Sequence, residues 1–207
     1  MMILMEGMDF SGKTTLAFMI VNHLKREGVS ASYNTGPLKN GWFSMVVTKV
    51  HKSKEMNFLV RNTVHAMVPV FDRLFFSVSR DQFIVQETYI DRTIAYNRAR
   101  KRYYFSEPLY LISPLFHKFD LTIYITNKFD ERLTRYHKSQ QVNAEDEKRF
   151  ADRALFQLTC DHLGLIIIKR ANCIVINTDG ESIEQTFRKI CHLLNPMISF
   201  LVNPQGK

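Results

Sequence analysis

Near the start of the chain an apolar run, Met2 to Glu6, gives way to Gly7-Met8-Asp9-Phe10-Ser11-Gly12-Lys13-Thr14, after which Leu16, Met19, Ile20 and Leu24 recur at helical spacing until Gly28. This is the pattern GxxxxGK[ST] in the setting that gives it meaning, a strand before it and a helix after it. Its two glycines let the backbone wrap an oligophosphate, while successive N–H groups and the helix N-terminus point at the oxygens. Lys13 carries neutralising charge, and the Thr14 hydroxyl is placed to ligate Mg²⁺. Thr15 reads as a second N-terminal hydroxyl with a phosphate or capping role. A random chain of this length shows the pattern roughly once in a hundred, so a plain glycine turn is the weaker reading.

The cradle needs a sheet around it, and the remaining pattern supplies one. Residues 29–34 read as a second strand closed by the turn Asn34-Thr35-Gly36-Pro37. Over 42–79 the apolar residues Phe58, Leu59, Val64, Met67, Val70, Phe71, Leu74 and Phe75 fall mostly three and four apart, and Pro69 is expected to end or kink that helix. Strands are predicted at 82–86, 121–125 and 173–177. Helices are predicted at 91–102, 129–137, 144–162 and 183–194, with the Pro108 and Pro114 region broken. Five strands at one per crossover unit indicate an α/β fold: a parallel sheet covered by helices on both faces, a three-layer sandwich.

Composition narrows the partners. A chain of 207 residues is one-domain length, and 45% hydrophobic with 23% charged residues excludes disordered and coiled-coil readings. No apolar stretch approaches the roughly 18 residues of a membrane helix, and the apolar start is interrupted at once by Glu6 and Asp9, so neither a signal peptide nor an anchor is expected. Cys160, Cys173 and Cys191 form no CxxC pair, which indicates neither a disulfide framework nor a zinc site and fits a reducing cytoplasm. The formal charge of +8 favours a phosphate-bearing partner, nucleotide or polymer.

Glu6-Gly7-Met8-Asp9-Phe10-Ser11-Gly12-Lys13-Thr14-Thr15 resembles the EGxDxxGKST opening of thymidylate kinases, with Asp9 as the distinguishing residue. Further segments follow in that family's order. Phe71-Asp72-Arg73 looks like its A-D-R segment, Thr88-Tyr89 with Ala95-Tyr96-Asn97 like DRY…AYQ, and Phe119 to Ile125 like PDLTIYLD. Residues 130–158 look like the lid and its following helix, and 176–190 like the closing strand and helix. The resemblance implies a P-loop kinase fold in a single domain, 1–207, with a helical lid at about 136–148. It implies transfer of the ATP γ-phosphoryl group, with Mg²⁺, to a deoxynucleoside monophosphate, thymidylate first, by a protein that is commonly a dimer. The location implied is the cytoplasm, a host's if the chain is phage or viral. Carried over by position, Gly7, Met8, Asp9, Phe10, Ser11, Gly12, Lys13, Thr14 and Thr15 would hold ATP. Asp9 would accept the acceptor's 3′-hydroxyl, Arg73 would donate to the base, and Tyr96 would lie against the deoxyribose. Each has a plainer rival: Asp9 as a loop-capping carboxylate, Arg73 as a solvated helix residue, Tyr96 as a core aromatic.

The chain also departs from the pattern. Glu87-Thr88 replaces the family's DR pair, removing the arginine that holds the acceptor phosphate, and the REPG segment is unrecognisable, with Lys39 as the nearest cation. Arg92, one helical turn beyond Thr88, is the expected substitute. Glu87 keeps a carboxylate for Mg²⁺ with Thr14, a part Asp91 could also play, and Glu87 would equally serve as a base toward a hydroxyl acceptor. Phe10 leaves the loop uncharged, so the cations should come from the lid: Arg132, Arg135, Lys138, Lys148, Arg149 and Arg153 surround the polar stretch 139–143. Arg135 and Arg153 are the favoured catalytic pair, against the plainer reading of solvated helix cations. Arg98, Arg100, Lys101 and Arg102 beside Tyr103, Tyr104 and Phe105 leave DNA as a possible but unfavoured partner. The rival functions are therefore a kinase for a hydroxyl on a deoxynucleoside or on DNA, and a non-catalytic nucleotide-binding module.

Overall fold

The computed structural model describes residues 1–38, 42–53, 57–76, 83–139 and 144–202. Five strands, β1 (Met2–Glu6), β2 (Ala31–Thr35), β3 (Phe83–Glu87), β4 (Leu121–Thr126) and β5 (Cys173–Asn177), form one sheet in the order β2-β3-β1-β4-β5. Every neighbouring pair is parallel. This is the expected α/β/α sandwich, and β1, at its centre, is buried at all five positions. Successive side chains of a strand point to opposite faces. Ile3 and Met5 accordingly join Leu16, Ile20, Leu24, Ile190 and Leu194 under α1 (Lys13–Arg26) and α9 (Ile183–Val202). Met2 and Leu4 join Ile94, Leu163 and Ile167 under α4 (Ile90–Ala99) and α8 (Arg153–Ile167).

The other helices are α2 (Trp42–Lys52), α3 (Phe58–Phe75), α5 (Tyr103–Ile112), α6 (Phe129–Lys138) and α7 (Ala144–Ala151). Four sequence expectations change. The 42–79 segment is two helices; residues 54–56 between them and 77–79 at its end lie outside the described residues, as does the predicted strand start at 82. Pro69 stands inside α3, its ring buried, and Pro108 stands inside α5, where the carbonyl four residues back belongs to the exposed Tyr104 and can turn to water. The 91–102 helix stops at Ala99, where Lys101 takes φ 57° before α5 begins. Finally, 144–162 breaks at Asp152, whose side chain caps α8 by accepting the Leu155 N–H at 2.9 Å. No described helix is long and apolar enough to cross a membrane.

Candidate active site

The cradle follows directly from β1. Gly7 is obligatory on packing grounds, since a Cβ there would stand 2.7 Å from the Ile125 carbonyl oxygen. Gly12 takes φ 92° at the head of α1, with Arg135 Nη1 3.6 Å from where a Cβ would be. Phe10, at φ 59°, occupies the left-handed region that bulky residues rarely adopt. Its ring lies 5.5 Å from both Tyr136 on α6 and Phe150 on α7, so aromatic packing onto these two helices holds the loop in place.

The ends of β1 and β3 meet over Lys13. Thr14 Oγ1 donates to Glu87 Oε1 at 2.8 Å, Lys13 Nζ lies 3.5 Å from the same oxygen, and Tyr33 OH donates to Glu87 Oε2 at 2.5 Å. Burial and the neighbouring Arg92 push the Lys13 amine down, against the pull of Asp9, Glu87 and Glu6. Burial and then the Glu87 hydrogen bond push the Tyr33 phenol up, which keeps it a donor. Glu6, which the motif includes without assigning it work, is fully buried and accepts the Tyr89 N–H at 2.7 Å and the Gly7 N–H at 3.3 Å. It therefore ties the start of the cradle to the start of α4. Burial, and then Asp91, push its carboxyl up to about 7.

Asp9 is the focus of the other side of the cradle. Arg92 grips it with two nitrogens, Nη1 to Oδ1 at 2.8 Å and Nη2 to Oδ2 at 3.1 Å, and Arg149 Nη1 reaches Oδ2 at 2.6 Å. Lys13 Nζ stands 4.0 Å from Oδ1. Burial alone would raise this carboxyl, but Arg92, Lys13 and Arg149 together hold it well below the usual carboxylate range, so it stays charged. Tyr96 borders the same space: the Arg100 guanidinium stacks 3.8 Å from its ring centre, and that of Arg149 lies 5.9 Å away. Tyr96 is only half-buried and framed by cations, unlike a core aromatic.

The remaining expected residues divide. Arg135 Nη1 donates to the Ser11 carbonyl at 3.0 Å, and the residue lines a cleft of about 330 Å³ with Gly12, Thr15, Thr178 and Ile183. Arg153 is not brought to the cradle: it pairs with Asp130 at 3.2 Å, both side chains about two-thirds exposed. Arg149, one turn before it, takes the inward place, a consequence of the break at Asp152. Arg73 is exposed on the last turn of α3, whereas its neighbour Asp72 is buried and accepts the Leu38 N–H at 2.8 Å. Asp91 is buried and takes Arg170 through Nε at 3.0 Å and Nη2 at 2.6 Å. Of the basic run, Arg98 is spent on Glu107 at 2.7 Å and on the Tyr110 ring. Lys39 and residues 140–143 of the expected lid lie outside the described residues; its flanks are on α6 and α7.

The chemistry this gathers is an anion cradle on one side and a carboxylate held between arginines on the other, both outside the carboxyl ends of β1 and β3 in a parallel sheet, where such folds bind ligands. Comparison with known proteins agrees. The family model described as thymidylate kinase matches residues 5–190. A solved thymidylate kinase from Candida albicans, whose description reports broad substrate specificity and a novel structural element, superposes with a TM-score of 0.71 over 95% of this chain and 91% of that one, at 19% identity. No curated protein matches the chain. At that identity the superposition speaks for the fold, while the model's span over nearly the whole chain makes it a member of the thymidylate kinase family, a phosphotransferase of the nucleoside monophosphate kinase kind.

Proposed function

We propose that the protein transfers the γ-phosphoryl group of ATP to a pyrimidine deoxynucleoside monophosphate, thymidylate first. The observation that carries this reading is the convergence of Arg92 and Arg149 on Asp9 beside Tyr96. A monophosphate is already a nucleophile at neutral pH, so the protein has only to position two anions and neutralise them. Planar guanidinium forks match phosphate oxygens, and Arg92 here takes the work of the arginine that Glu87-Thr88 lacks. Asp9, kept charged, accepts a sugar 3′-hydroxyl, and the Tyr96 ring stands against the 2′ position. On the donor side the Gly7 to Thr15 loop receives the phosphates, Lys13 neutralises charge developing in transfer, and Arg135 beside the cleft at Thr178 faces the donor nucleoside.

Among the described residues no group of three His, Cys, Asp or Glu could hold a metal ion alone. The Thr14 hydroxyl and the Glu87 carboxylate, 2.8 Å apart at the cradle, are hard oxygen donors that fit Mg²⁺ completing its shell with water and phosphate. When bound, the ion would supply positive charge that offsets that of the donor phosphates. We read the exposed apolar residues Met45, Val60, Met67 and Leu74 on α2 and α3 as the face of a homodimer, and the cytoplasm as its location.

The test is a transfer assay with labelled ATP and Mg²⁺ against deoxynucleoside monophosphates, nucleosides, and single- and double-stranded DNA. Thymidylate is expected to lead, with DNA binding weak and lost as salt rises. Label entering DNA with no turnover of any free nucleotide overturns the reading and makes the Arg98 to Arg102 run part of a substrate groove.

A further inference from the structure

A second polar cavity, of about 190 Å³, lies between the end of β4, α6 and α8, and shares no lining residue with the donor cleft. Its floor carries Arg132, which is only 2% exposed. The Arg132 Nε donates to the Asn127 carbonyl at 3.1 Å, but its Nη1 is buried and donates to nothing. Asn127 repeats the anomaly, with both side-chain amide atoms buried and unpaired. Among the described residues no carboxylate lies within ion-pair distance of Arg132. The cavity wall beside it is Phe156, Cys160 and Tyr124, and the rim carries Gln157 bonded to Asp161 at 3.0 Å.

A guanidinium withdrawn from water without a counter-charge is strongly unfavourable, and buried polar groups are ordinarily paired. A guanidinium and an amide side chain that both line one small cavity, each with polar atoms left unpaired, are the complement of a compact oxyanion, which accepts several hydrogen bonds at once and supplies the missing negative charge. We propose that this cavity binds a small tetrahedral oxyanion, inorganic phosphate or sulfate, through the side chains of Arg132 and Asn127. The exposed Asp161 at the rim works against the anion and is held aside by Gln157. The site is separate from the transfer reaction: it neither lines the cradle nor touches Asp9.

Equilibrium dialysis of the full chain with labelled inorganic phosphate, in saturating ADP and Mg²⁺, tests this. The native protein is expected to bind phosphate that sulfate displaces, and Arg132→Met should weaken that binding at least tenfold while raising Tm in phosphate-free buffer, because an uncompensated buried charge is gone. Arg92→Ala should leave the same binding intact, which separates the cavity from the acceptor site. If Arg132→Met fails to fold, Asn127→Ala, which keeps the arginine, should weaken binding several-fold. No phosphate bound under ADP saturation means that water alone fills the cavity and overturns the proposal. So does binding lost in Arg92→Ala, or unchanged in both cavity variants.

Discussion

The two halves of the site are built differently. The donor cradle is contiguous: Gly7 to Thr15 folds on itself, pinned by the buried Glu6 below and by α1 behind. The opposite side is assembled from afar, with Asp9, Arg92, Tyr96, Arg100 and Arg149 coming from three segments, the loop, α4 with its C-cap, and α7, that only the folded chain brings together. Geometry fixed by covalent neighbours tolerates little change. Geometry fixed by packing allows one arginine to take over from another, which is the part proposed here for Arg92, with Arg149 on the same carboxylate.

If that contrast is right, the largest loss comes from the cradle. Lys13→Ala should lower kcat by roughly a thousandfold or more, with circular dichroism unchanged, because the charge that meets the developing phosphoryl anion has no substitute. Arg149→Ala should be milder, lowering kcat/KM for the acceptor by about ten- to a hundredfold, since Arg92 still holds Asp9. Equal losses from the two changes would erase the distinction.

Glu6 sharpens it from the stability side. Its carboxyl is raised from 4.5 to about 7 in the folded protein, so the folded state holds a proton that the unfolded chain has released. Its contribution is full below pH 4.5 and is lost as pH rises to about 7. Glu6→Gln keeps an acceptor for the Tyr89 N–H and should therefore gain up to about 3 kcal/mol relative to the native protein at pH 8, with little gain at pH 4, read by urea unfolding at both. The smallest effect belongs to Arg153→Ala: its exposed pair with Asp130 should leave turnover within about twofold and stability within about 0.5 kcal/mol.

Legibility followed the same divide. The strand, loop and helix around Lys13 could be read because each residue type is demanded by its neighbours: glycine where a Cβ meets Ile125 or the left-handed region is needed, lysine and threonine at the first helical positions. The sheet was legible because four of its strands are short, mostly apolar runs, and the more polar β2 is closed by turn residues. The expected lid was not, because its six cations, spread over α6, α7 and α8, differ only in helical phase, and phase depends on where a helix breaks. Asp152 breaks it, capping α8 and turning Arg153 outward to Asp130 while Arg149 faces Asp9. The signal was present as an Asp ahead of an apolar-periodic run. The pairing of Asp91 was illegible for a related reason, since its partner Arg170 is 79 residues away and no local pattern announces it.

The claim at the centre of this account is that Arg92 does the work of the missing acceptor-phosphate arginine. Steady-state kinetics of Arg92→Ala, varying thymidylate and ATP separately, tests it most directly. A charge-assisted fork lost from the acceptor alone should raise the KM for thymidylate at least tenfold and leave that for ATP within about twofold. Equal weakening toward both substrates, or none, would contradict the account and remove Arg92 from the acceptor site.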